Sequence, residues 1–486
     1  MREAIWVLRA HRWRVMVLSA VLLVPCFWQR RIQAGDLASH VYNAWLAQLI
    51  ERGQAPGLYL AHQWNNILVD VGLLRLGSAF GFVAAERIVA SACVLMFFWG
   101  AFALIASLTG RLPWVLAPGL AMIAYGWTFS MGFLNFYLSL GLGLAATALV
   151  LSSRRADWVA AAALGALALL AHPMGFLCVV GLAVYLRFAG LLRGWLRWLL
   201  PVAGLGAVFL ARQYALRHEP DFWDTSFFYR MNGADQLVLY GDRYIWLAYG
   251  VFLFGCVCFL TGAWREWPRM KVKGSFRAPL EVWVLLLFAA AVVPEVFVMP
   301  QYAGVVAFVI SRVTLVSAIM GLAVLATVRP RRWHLLGLLV CASMYFTWMY
   351  HDTATLNGME EQAEALVKDL PYGRRVTETI WAPDDSRIGF INHIVDRACI
   401  GRCFTYSNYE PSSGQFRVRV REGSPIVTDV PELTEQMESG EYAVQAKDLP
   451  MTEIFQCDEK DLTKLCSREL SAGEPNGRVG YHPPKD

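Results

Sequence analysis

Residues 88–108 read IVASACVLMFFWGAFALIASL, twenty-one positions without a charged side chain. A helix of that length spans about 30 Å, the thickness of a bilayer's hydrocarbon core. Hydrocarbon offers no partner to a backbone N–H or C=O, so a crossing segment must be a helix or part of a closed barrel. An apolar run without alternation favours the helix. Working outward, comparable runs appear near 13–28, 112–129, 133–151, 158–171, 173–188, 195–210, 244–260, 282–299, 302–328 and 333–350. The sequence therefore predicts an α-helical polytopic membrane protein with about eleven transmembrane helices.

Composition agrees. Of 486 residues, 57% are hydrophobic and 17% charged, against about 45–50% and about 25% in an average soluble domain. The run at 13–28 follows Arg2, Arg9, Arg12 and Arg14, as a signal peptide would. It ends in Trp28-Gln29-Arg30-Arg31 without a small-x-small cleavage site, and reads as a retained first span. The net charge of +5 bears on orientation and does not suggest a nucleic-acid partner. No Walker motif, GxGxxG after a strand, HExxH or internal repeat is present, which argues against ATP-driven pumping.

With a cytoplasmic N-terminus, the cytoplasmic connections carry Arg111, then Arg154 and Arg155, then Arg187, Arg193 and Arg197. The next carries Arg265, Arg269, Lys271, Lys273 and Arg277, and the last Arg329, Arg331 and Arg332. The opposite turns at 130–132, 172–173 and 300–301 have no Lys or Arg, as the positive-inside rule requires. The first 350 residues then form the membrane domain of a multi-pass cytoplasmic (inner) membrane protein, and residues 351–486 an extracytoplasmic α/β domain with a disordered tail from about 472. Within that domain β-prone runs at 375–381, 403–406, 415–420, 425–428 and 441–445 alternate with expected helices at 359–368, 432–439 and 459–469. Six cysteines lie in the spans. The other four pair most simply as Cys399–Cys403 and Cys457–Cys466, with free buried thiols as the alternative.

Two outer segments are long, 29–87 and 212–243, and loops of that size usually carry function. The first contains an expected interfacial helix over 37–51 with Val41, Trp45, Leu46, Leu49 and Ile50 on one face, and an apolar stretch at 67–82 broken by Asp70 and Arg75. At the entry of that helix stands Gly35-Asp36-Leu37-Ala38-Ser39-His40. Asp36 and His40 are four apart and share a face, where a carboxylate can deprotonate an acceptor or hold a divalent metal and His40 can tune it or bind phosphate. Asp36 is equally well placed as the helix N-cap.

In this stretch the chain resembles the GT-C superfamily of membrane glycosyltransferases, through Asp36 at the start of a long first outer loop, the many spans, the second long loop and the outer C-terminal domain. The resemblance implies a polyprenyl-phosphate sugar as donor, a glycan, lipid or protein acceptor, and Asp36 as catalytic base. Leu37 stands where many members have a second acid, so metal dependence is left open.

Phosphate needs cationic partners near the headgroups. Arg312, inside the tenth run, Arg212 at the outer end of the seventh, Arg87 and His172 are candidates for holding the donor. Glu295 is expected to pair with Arg312, which would brace two helices. For Arg212 and Arg87 the alternative is snorkelling to the interface, and for His172 a solvated turn. The 221–229 stretch, rich in aromatic residues and Asp, and Tyr406-Ser407-Asn408-Tyr409-Glu410 are candidate glycan contacts, or membrane-interface aromatics and a turn. A transporter or flippase using Arg312, Glu295 and Asp70, or a non-catalytic assembly factor, are the competing classes.

Overall fold

The computed structural model describes residues 10–152, 154–218, 220–222, 232–273, 276–298 and 305–477. Most of the chain is helical. Five helices are long and apolar enough to cross a membrane: Phe82–Thr109, Pro173–Leu191, Gly194–Leu216, Asp242–Glu266 and Val309–Thr327; Leu134–Val150 and Ala156–Ala171 are apolar but shorter. Phe82–Thr109 and Val309–Thr327 are mostly buried within the protein, whereas Gly194–Leu216 keeps Val202, Leu205, Phe209 and Leu210 exposed. Phe82–Thr109 and Leu134–Val150 meet backbone to backbone: a Cβ on Gly100 would stand 2.3 Å from the Gly141 carbonyl oxygen, and one on Gly141 2.7 Å from the Phe97 Cα. Such approach at small residues is how apolar helices associate when lipid removes the hydrophobic drive between them.

Several expected runs differ from the helices that form; the first, 13–28, is helical only over Arg12–Leu23 before the 3-10 turn Val24–Cys26. The run at 112–129 breaks into a 3-10 turn, Trp114–Leu116, and the helices Ala117–Ala124 and Trp127–Ser130. Gln236 fills the break: its side-chain oxygen accepts from Thr128 N at 3.2 Å and Thr128 Oγ1 at 2.9 Å, and its amide donates to Ser311 O at 2.8 Å. Helix Arg277–Val292 stops short of 299 and gives way to a strand, Val296–Val298, and the following helix begins only at Val309. The expected boundary at 350 is no interruption, because Arg332–Val367 is one helix of 36 residues. Its second half is polar but rich in helix-forming Ala, Glu and Leu, so polarity changes there while the backbone does not.

Beyond that helix, Cys403–Thr405, Arg374–Thr379, Met451–Gln456 and Leu465–Glu469 lie in this order in a mixed sheet, parallel except for the last antiparallel pair. Disulfides join Cys399 to Cys403 and Cys457 to Cys466. The second lies across the hairpin of the last two strands, so 459–469 is turn and strand where its Glu, Lys and Leu content predicts helix. The runs at 425–428 and 441–445 form no strand beyond a single bridge, Ala443 to Pro475. The expected disorder does not start at 472: Asn476 is fully buried and its Oδ1 accepts from Tyr442 N at 2.9 Å.

One buried cation joins this region to the membrane helices. Arg397, on the short helix Ile394–Ala398, donates from Nε to Glu360 Oε1 at 2.7 Å, from Nη2 to Glu360 Oε2 at 2.5 Å, and from Nη1 to Glu86 Oε1 at 3.1 Å and Ile32 O at 3.0 Å. All three charged side chains are about 99% buried. Removing the cation would leave two carboxylates in the interior without compensation. Arg397→Met is expected to destabilise the protein by about 3–5 kcal/mol, measured by thermal or denaturant unfolding in detergent.

Candidate functional site

Helix Gly35–Glu51 begins with Ala34 as its N-cap, and no side chain caps it. The backbone N–H of Asp36 donates instead to Met131 O at 3.0 Å. Gly132 makes that turn possible: its φ is +86°, and a Cβ there would stand 2.5 Å from Leu37 N. The capping alternative for Asp36 is thereby overturned, and its carboxylate is free for other partners. The helix is also not a half-exposed interfacial one, because every residue from Asp36 to Ala47 is buried.

Asp36, Ser39, His40 and Asn43 form a polar stripe at helical spacing along this buried helix. It meets Asn408–Glu410 at the start of helix Tyr409–Ser413. Tyr409 OH donates to Asp36 Oδ1 at 2.7 Å, Ser39 Oγ donates to Glu410 Oε1 at 2.9 Å, and Asn408 Nδ2 donates to Asn43 Oδ1 at 2.9 Å. His40 lies among carboxylates: Nε2 is 3.3 Å from Asp36 Oδ2, and Nδ1 is 2.8 Å from Asp70 Oδ1 and 3.7 Å from Glu410 Oε1. The Nδ1 contact lacks hydrogen-bond geometry, so the attraction is ionic. Asp70, in the first turn of helix Leu68–Phe80, also accepts from Asn135 Nδ2 at 3.0 Å. His393 stacks on Tyr409 with ring centroids 5.6 Å apart, and its Nδ1 is 2.9 Å from Asp396 Oδ2, which fixes the Tyr409 ring.

These surroundings separate the two acids. Burial opposes ionisation of Asp36, but His40, helped by His393 and the Tyr409 hydroxyl, leaves its carboxyl below the ordinary value. Burial would strip His40 of its proton, yet Asp70 and Asp36 together hold the imidazolium well above the usual histidine range. Burial pushes Glu410 up to about 8 against the pull of His40, with Asp36 adding to the rise. At neutral pH the cluster thus holds an ionised Asp36, a cationic His40 and a protonated Glu410. Asp36, His40 and Glu410 each place a ligand atom within 4.8 Å of the others, a donor set suited to a divalent cation. The fit is conditional, since the His40 proton already supplies positive charge and an entering cation must displace it.

Asp36 and His40 line a cavity of about 1120 Å³. Its far walls are apolar, with Leu182, Val208, Leu285, Leu286 and Val316 contributed by four helices. At the rim Leu177 and Tyr214 are exposed, so the cavity opens sideways between helices. Arg312 and His172 line the same cavity. The Arg312 guanidinium lies 4.1 Å over the Phe133 ring, its Nε has no hydrogen-bond partner, and among the described residues no carboxylate is within 4.0 Å of it. His172 caps helix Pro173–Leu191, its Nδ1 accepting from Met174 N at 3.2 Å, and meets the Phe136 ring edge-on.

Two expected site residues are elsewhere. Glu295 does not pair with Arg312: its carboxylate accepts from Ile310 N at 2.7 Å and Ser311 N at 3.1 Å, capping the helix that carries Arg312. Arg212 is not among the cavity-lining residues. Arg87 donates to the carbonyls of Gln29 and Arg30, and of the 221–229 stretch the aromatic part from 223 onward falls outside the described residues. Asp70, Asn135, Tyr409 and Glu410 enter the site without having been singled out for it as a group. The polar stripe on an otherwise apolar helix was the signal that something polar must face it.

No protein-family model, curated protein or solved structure matches this chain. Any functional reading therefore rests on the residues and their geometry.

Between an ordinary 4.5 and about 8, folded Glu410 keeps a proton that the unfolded chain has lost. Stability contributed by this group is consequently lost as pH rises through that window. Glu410→Gln is expected to flatten the decline of melting temperature between about pH 5 and about pH 8, read from melting curves of both proteins across that range.

Proposed function

We propose that the chain is a GT-C-like membrane glycosyltransferase that moves a sugar from a polyprenyl-phosphate donor to an acceptor at the outer face of the cytoplasmic membrane. One observation carries this reading: a buried carboxylate and a guanidinium that has no carboxylate within 4.0 Å among the described residues line the same cavity, whose remaining walls are apolar and open sideways. A lipid-linked phosphate sugar has that distribution of chemistry, with a long apolar tail, an anion and a polar ring. In this reading the long apolar helices and the shorter ones between them make about eleven crossings, and the region after 367 lies outside the cytoplasm.

In the reaction the acceptor oxygen attacks the anomeric carbon, a new C–O bond forms, and the bond from that carbon to the phosphate oxygen breaks. The electron pair leaves with polyprenyl phosphate, and the acceptor proton passes to Asp36. A carboxylate stabilised by His40 is a weak base, so its work is to align the acceptor O–H and take the proton as bond formation acidifies it. Arg312, which has no carboxylate within 4.0 Å among the described residues, meets the phosphate as charge builds on it. His40 and Tyr409 hold Asp36 ionised and oriented. A divalent cation in the Asp36–His40–Glu410 cluster would add a Lewis acid at the acceptor. A transport pathway fits less well, since the polar lining gathers around Asp36 and the opposite walls are apolar.

With purified protein and a panel of labelled polyprenyl-phosphate sugars, transfer or slow hydrolysis of the sugar is the expected signal. Asp36→Asn should lower it by about 100- to 10,000-fold at a temperature where melting curves show the variant folded, and full activity in that variant would rule out the proposed role. Arg312→Met should cost about 100-fold or more, with the loss largest for donors whose only charge is the phosphate.

A further inference from the structure

A cationic strip at the mouth of this cavity is not used by the chemistry above. Strand Leu58–Leu60 pairs antiparallel with Val418–Val420, with Tyr59 opposite Arg419, and the hydrogen bonds Ala61 N to Arg417 O and Arg421 N to Gly57 O extend the ribbon at both ends. Successive side chains of a strand alternate in direction. Leu58 and Val418 are accordingly buried, Tyr59 and Arg419 fall on the other face, and the Arg421 guanidinium reaches that face over the Tyr59 ring. Alternate residues repeat every 6–7 Å or so along an extended strand, and the hydrogen bonds at both ends of the ribbon carry about that backbone spacing from Arg419 to Arg417 and Arg421.

Among the described residues no carboxylate is within 4.0 Å of any of the three, although the chain pairs many of its other arginines. Arg421 lies 5.4 Å over the Tyr59 ring and Arg419 Nε donates to Phe416 O at 3.2 Å, which orient the row without neutralising it. Arg419 reaches the cavity, where His62 and Trp64 also stand at the lining. Trp64 is 55% exposed and offers a flat face on which a sugar ring can stack. Like charges in a row repel one another and are tolerated most easily where an anion spends time among them.

We propose that this strip is the acceptor-docking site and that the acceptor is an acidic glycan, an extended chain bearing carboxylates or phosphates at regular intervals. The proposal rests on the transferase reading and names its second substrate. Regular spacing along an extended ribbon matches one extended chain of charges better than it matches a fluid lipid surface. The continuation of the row into the cavity would deliver the chain's end to Asp36.

The test reads binding alone, by fluorescence anisotropy of a labelled oligogalacturonate, which has a carboxylate on every sugar, and of a neutral maltooligosaccharide of equal length. The protein is the full chain in uncharged detergent. The acidic oligomer is expected to bind and the neutral one not, with affinity falling between about 0.05 M and about 0.5 M salt. The triple variant Arg417→Gln, Arg419→Gln, Arg421→Gln should bind it about ten-fold more weakly at an unchanged melting temperature. Should that variant melt early, Arg421→Gln alone, at the exposed end, should cost about two- to three-fold. Equal binding of the two oligomers, no binding of either, or unaltered binding by the variants overturns the proposal. So does binding of the detergent-solubilised protein to phosphatidylglycerol vesicles, weakened in the triple variant, with no preference for the acidic oligomer over the neutral one, which would assign the strip to the membrane surface. Binding without transfer would then count against the transferase reading alone, and transfer without charge-dependent binding against the docking strip alone.

Discussion

Arg397 is the constraint on which the arrangement depends. It is a fully buried guanidinium whose two carboxylate partners are far apart along the chain, Glu86 near the start of the apolar helix Phe82–Thr109 and Glu360 near the end of the 36-residue helix Arg332–Val367. A buried ion pair adds little net stability over a well-packed apolar pair, but its geometry is exacting, because each charge left alone is costly. Here that demand sets the register between the C-terminal region and the membrane helices. The 31–34 segment is drawn into the same network through Ile32 and Gln33, whose amide donates to Glu360 Oε2 at 2.8 Å.

The segment so fixed leads directly into the helix bearing Asp36. Position matters for that residue, because its carboxylate is ionised by contacts and not by water. Its partners come from the same helix (His40) and from the C-terminal region (Tyr409), while His40 is held in turn by Asp70 from a third element. A shift of about one ångström between these elements would weaken each pairing and with it the ionisation of Asp36. The clamp at Arg397 and the cluster at Asp36 are thus two faces of one seam. One holds the parts together, and the other uses the precise join to keep an anion beside an apolar cavity.

Some of the site was readable in advance because charge in an apolar setting is conspicuous. Asp36, His40, His172 and Arg312 stood out in this way, and all four line the cavity. Glu295 misled for a physical reason. Two opposite charges near the ends of neighbouring helices suggest a pair, but the unsatisfied N–H groups of a helix start compete for the same carboxylate and here won it. Tyr409 and Glu410 looked like a turn, which in part they are, since Asn408 caps the short helix they open. Nothing local to residues 406–410 says that this turn packs against residue 36.

The sequence by itself determined the helical, membrane-compatible character of the chain, because hydrocarbon permits few backbone solutions and long uncharged runs leave little choice. It also pointed to Cys399–Cys403 and Cys457–Cys466 as the simplest pairing of the four late cysteines, and the structure chose those disulfides over free thiols. Tertiary structure alone decided where helices break, since the interruption near Gly126 exists to receive Gln236 from elsewhere in the chain. It likewise decided which acid is ionised and which keeps its proton, because those states follow from burial and from neighbours brought together over hundreds of residues, and distance in space is not written in distance along the chain.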